Sequence, residues 1–117
     1  KTAGRKADTR TLPELLIERH DILIERIGTR LKTHATETDI ARLFIALVEY
    51  RFMRKCPIKT FRNALHEQFN EQEIVHERGI QKAYRNLISP LGNSKKLVKD
   101  IGEDHEAIEE LKAYLSN

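Results

Sequence analysis

The sequence predicts an all-α, single-domain bundle of five or six helices. Three observations carry that prediction. Apolar residues recur at three- and four-residue spacing in most segments, no stretch alternates with period two for long enough to make a strand, and 117 residues suffice for one core. A chain of this size buries roughly two thirds of its unfolded surface, which supports one cooperative unit and argues against a second. The expected division is a flexible basic arm over 1–10 and a single helical domain over 11–117.

The arm, KTAGRKADTR, has no apolar period and consists mostly of small and charged residues, as a solvated segment does. From Thr11 the pattern changes. Thr11 stands three residues before Glu14 in a capping-box arrangement, Pro13 falls in the first turn, and Leu12, Leu16, Leu23, Ile27 and Leu31 come after it at helical spacing. The stripe, widened by Leu15, Ile22 and Ile24, predicts one long helix over about 12–33. THATETD then interrupts it with side chains that compete for backbone bonds and cap the next element. Ile40, Leu43, Phe44, Leu47 and Val48 place a broad apolar face on a helix reaching about Met53, the most hydrophobic segment and the expected centre of the core.

Cys56-Pro57 closes that helix and opens another, on which Ile58, Phe61, Leu65 and Phe69 repeat. Asn70 with Glu73 repeats the capping signal, so a further helix is expected from Asn70, with Ile80, Ala83, Tyr84 and Leu87 inward. Gly79 is either an interior residue of that helix or a terminal cap with Val75 against Ile80; the continuous helix is favoured. SPLGNS reads as a turn in which Asn93 or Ser94 caps the next element. SKKLVKDI reads as a short helix ended by Gly102, and Asp104 to about Leu115 as a last amphipathic helix.

Chemistry is sparse. None of the five histidines lies four residues from another, Cys56 is the only cysteine, and no glycine cluster forms a phosphate loop. The acids Glu106, Glu109 and Glu110 lie opposite an apolar face, as on a solvated surface. No catalytic residue, metal ligand, cofactor or small-molecule substrate is expected, and an enzyme is the least supported class. A lone cysteine excludes an internal disulfide and suits a reducing compartment, so a cytoplasmic setting is expected. No apolar run is long enough for a membrane span and no charged-then-apolar leader pattern occurs, so neither a span nor a secretory signal is expected, and a start at Lys1 with Met53 as the single methionine suggests a piece of a longer protein.

Lys+Arg 21 against Asp+Glu 18 leaves +3, too little by itself to announce nucleic-acid binding. Distribution says more: the front of the chain is basic and the end, from Glu103, is acidic. Between them, Ile58 to Leu87 fits a helix-turn-helix in outline, two helices joined at Phe69-Asn70. If Ile80, Ala83, Tyr84 and Leu87 face inward, Arg78, Lys82 and Arg85 share the opposite face and could lie along phosphates. Gln72, Val75 and His76 would then approach base edges, while Lys95, Lys96 and Lys99 add backbone contacts. Against this, Glu71, Glu73 and Glu77 would repel phosphates at the leading end, and the turn lacks the usual glycine. An ordinary solvated face explains the same cations.

The run LFIALVEYRFM, then IKTFRNALHEQFN, then the Arg78-containing helix resembles, over residues 39–87, the C-terminal helical part of RteC-type regulators of conjugative transposons. That resemblance implies a DNA-associated regulatory role, transcriptional control linked to a mobile element. The alternative expectation is a helical protein-interaction or oligomerisation module without nucleic-acid binding, in which exposed apolar residues of the first helix dock on a partner or a second copy.

Overall fold

The computed structural model describes residues 9–93 and 95–116. Most of the arm, residues 1–8, and the candidate cap Ser94 lie outside the described residues. Over the described residues the chain is an all-α, single-domain bundle of six helices: α1 Leu12–Leu15, α2 His20–Leu31, α3 Glu37–Glu49, α4 Ile58–Gln68, α5 Glu77–Leu87 and α6 Gly102–Ser116. A 3₁₀ turn, Val98–Asp100, precedes α6, and among the described residues there is no sheet.

The third helix is the centre, as its composition predicts. Ile40, Ala41, Leu43, Phe44, Ile45, Ala46 and Leu47 are all buried, and α3 packs against both α5 and α6. Its start is set locally: Asp39 N–H donates to Thr36 Oγ1 at 3.1 Å, and Thr36 N–H donates to Asp39 Oδ2 at 3.2 Å, a reciprocal cap inside the polar connector. Its end is set by Arg51, which takes the left-handed φ of 59° and lets the Phe52 and Met53 amides return to the Leu47 carbonyl.

The predicted long helix over 12–33 is instead two. Thr11 and Glu14 pair as expected, with the Thr11 N–H donating to Glu14 Oε1 at 3.0 Å, but α1 stops after one turn. The reason is tertiary. The Ile17 amide donates to the Phe52 carbonyl at 3.1 Å and the Arg54 amide to the Leu15 carbonyl at 2.8 Å, so the segment after α3 takes groups a helix would have used. Arg19, with φ 57°, then turns the chain into α2. Leu16 stays in the core, whereas Ile17 and Ile22 are exposed.

The last helix begins at Gly102, two residues before the expected start, with that glycine at φ 63°. The short helix expected in SKKLVKDI is reduced to the 3₁₀ turn. Leu91 N–H donates to Lys96 O and Val98 N–H to Ser89 O, both at 3.0 Å, and this cross-loop pairing replaces helical bonding. α6 is then seated by arginines of α2 and α3. Arg42 pairs with Asp104 at 2.6 Å and Arg30 with Glu110 at 3.2 Å. At the other end, Arg26 donates to the Tyr114 carbonyl, and Arg19 to those of Leu115 and Ser116, placing positive charge where the helix dipole is negative.

Candidate functional site

The surface that the sequence singles out lies on α5, and its geometry starts with the segment ahead of it. No helix forms from Asn70, and the Asn70–Glu73 box is not made. A tight turn does form at Phe69-Asn70, where the Gln72 N–H donates to the Phe69 carbonyl at 2.9 Å, but residues 73–76 then run without regular structure before α5. Two groups hold this segment down. Ile74 is buried in the core, and Arg62 of α4 donates to the Ile74 and Val75 carbonyls at 3.1 and 3.2 Å. A charge-assisted anchor of the backbone outweighs a weak local cap.

The helix itself opens at His76, whose Nδ1 accepts the Arg78 N–H at 3.2 Å. That ring is therefore a helix cap, and Gln72 lies on the connection, beside Phe69 and Gly28 of α2. Neither stands in the first turns of α5, where the sequence pattern places them. Gly79 sits in the first turn and ends nothing. The Glu37 carboxylate occupies the space its side chain would need, so glycine here admits an acidic group from α3 near the positive end of α5.

Beyond that turn the two faces separate as expected. Ile80 and Leu87 are buried, Ala83 and Tyr84 half-buried, and Arg78, Lys82 and Arg85 exposed. Among the described residues none of these three side chains makes an ion pair or a hydrogen bond. Lys95 and Lys96 are exposed on the loop after α5, while Lys99 turns inward to Glu49 at 2.7 Å and Asp100 at 2.9 Å. Burial alone would pull the Lys99 ammonium down, but its hydrogen bonds to Glu49 and Asp100 outweigh that and hold it above its ordinary value. Conversely, the hydrogen bond from Lys99 holds the Asp100 carboxyl below the usual range.

Next to the cations lies a feature that sequence reasoning missed. An open hollow of about 350 Å³ is lined by Phe44, Cys56, Pro57, Ile58, Gln81, Tyr84 and Arg85. Phe44, 6% exposed, is its floor, with the Tyr84 ring edge-on at 5.6 Å and Phe61 behind at 5.3 Å. The hollow shares Gln81 and Arg85 with a shallow shelf formed by Arg78, Lys82 and Asn86, so apolar and cationic surface are continuous. No sequence signal marks this hollow, because Phe44, Ile58 and Tyr84 come from three helices.

Among the described residues no group of three or more His, Cys, Asp or Glu side chains could hold a metal ion, and no helix is long and apolar enough to cross a membrane. Fold and surface thus define an all-helical domain with one cationic, partly apolar helix face. Residues 1–117 match the family of unknown function DUF6043, and the chain belongs to that family. No curated protein and no solved structure matches it.

Proposed function

We propose that this chain is a non-enzymatic helical interaction module that docks a protein partner through the exposed face of α5. The observation that carries the proposal is the continuity of unpaired cations with an open apolar hollow. Cations alone suffice to track phosphates, and their contribution fades steeply with salt. A hollow floored by Phe44 and walled by Ile58 and Tyr84 adds apolar burial, which supplies binding free energy at any salt concentration and is the usual anchor of a protein interface. A cytoplasmic setting, in keeping with the single reduced Cys56, is part of the same reading.

A second reading, the DNA-associated regulator of mobile elements implied by the RteC-type resemblance, is favoured by the exposed cations Arg78, Lys82, Arg85, Lys95 and Lys96. His76 as a cap and Gln72 on the connection weaken it at the end that would read bases. Photo-crosslinking separates the two. A benzoylphenylalanine at position 82, in cells of the source organism, should yield a discrete protein adduct that is absent from the same probe at exposed Glu67 and is lost with Tyr84→Ser. Adducts to DNA, or equal labelling at both positions, would reject the protein reading.

A further inference from the structure

We infer that the occupant of the α5 surface is an acidic amphipathic helix, its carboxylates on Arg78, Lys82 and Arg85 and one apolar side chain in the Phe44–Ile58–Tyr84 hollow. The inference rests on the interaction reading above and names the chemistry of the partner. The three cations stand at i, i+4 and i+7, a row of about 10 Å along the axis, and a second helix laid beside α5 can repeat that spacing with glutamates. Its length is bounded too: α5 spans roughly 16 Å, the length of about eleven helical residues. Helix-in-groove recognition reads such i, i+3, i+4 and i+7 anchors.

Charge complementarity selects the partner. Two acids stand at the start of α5, Glu77, whose carboxylate accepts from Gln81, and Glu37 of α3 over Gly79, and neither pairs with Arg78, Lys82 or Arg85, which stay open to carboxylates from outside. A second copy of this chain does not supply them in the required form through its most acidic helix. Its acid-rich helix is α6, but Ile108, Leu111 and Leu115 of that helix are buried in its own core, and Asp104 and Glu110 are held by Arg42 and Arg30. Such a helix has charge to offer and no apolar anchor.

The test uses the full chain and a labelled synthetic peptide of about fourteen residues, long enough to cover α5, with glutamates on one helical face and leucines on the next. Fluorescence anisotropy should show saturable binding that falls about tenfold or more with Lys82→Glu, equivalent to about 1.4 kcal/mol. Because Lys82 is exposed and unpaired, that variant keeps the fold, which circular dichroism verifies. A peptide carrying lysine in place of the matching glutamate should restore binding to Lys82→Glu, and Ile58→Ser should weaken the original peptide without weakening polyglutamate. Polyglutamate binding as tightly as the amphipathic peptide, displacement of the peptide by duplex DNA at equal charge, or no binding at all would each overturn the proposal. Peptide failure with persistent position-82 protein crosslinks would leave an interaction face with another occupant, whereas failure of both removes the parent reading as well.

Discussion

Two faces of the bundle carry the same kinds of charged residue and use them differently. On the α6 side, Arg42, Arg30, Arg26 and Arg19 all end on groups of the chain itself, carboxylates or the last carbonyls of a helix. On the α5 side, Arg78, Lys82 and Arg85 end on nothing among the described residues, and the packing beneath them is aromatic, through Phe44, Phe61 and Tyr84. Both seams bury apolar side chains, Ile108, Leu111 and Leu115 on α6 and Ile80 and Leu87 on α5, but the first also pairs its charges whereas the second leaves them outward. The lesson is that a cation's role is set by what lies within about 4 Å of it in the folded chain.

The contrast breaks most visibly at Phe44. Its replacement by alanine should cost roughly 3–5 kcal/mol in urea denaturation, since the ring is the floor of the hollow and the joint between α3 and α5. A loss below about 1 kcal/mol would mean that α5 is not held by that ring. Arg42→Ala should come next, at about 1–3 kcal/mol, because its partner Asp104 keeps a partly buried charge without a donor. Thr36→Ala should cost about 1 kcal/mol through the lost α3 cap, and Thr36→Asp should recover most of it.

Alanine at Arg78, Lys82 and Arg85 together should change stability by less than about 0.5 kcal/mol, the ordinary range for exposed positions. A larger loss would erase the distinction between the two faces. The smallest effect is a pH signature at Lys99. Asp100, held low, contributes stability above its ordinary carboxyl range that is lost as pH falls through its depressed value; Lys99, held high, contributes below its ordinary range and loses it as pH rises through its raised value. Lys99→Met should therefore lower Tm modestly near neutrality, where solvent screens the exposed Asp100, and the difference from wild type should shrink toward both extremes. A constant offset across pH would assign the loss to packing alone.

Much of this was legible in residues. The apolar face of α3, the Thr36 connector, the Pro57 start of α4 and the inward set Ile80, Ala83, Tyr84 and Leu87 come from side-chain type and spacing, because a helix repeats every 3.6 residues wherever it lies. The same periodicity determined that Arg78, Lys82 and Arg85 share one exposed face. The tertiary structure alone decided where helices stop. The stripe through Leu16 and Ile22 continues on paper across a break made by hydrogen bonds to Phe52 and Arg54, more than thirty residues away. The Asn70 cap gave way to Arg62 holding the Ile74 and Val75 carbonyls, which moved Gln72 off the helix and made His76 its cap. The hollow was decided there too, since Phe44, Ile58 and Tyr84 meet only when three helices pack. Local pattern sets which side of a helix is apolar; backbone groups and side chains distant in sequence set its ends, its neighbours and the surface they enclose.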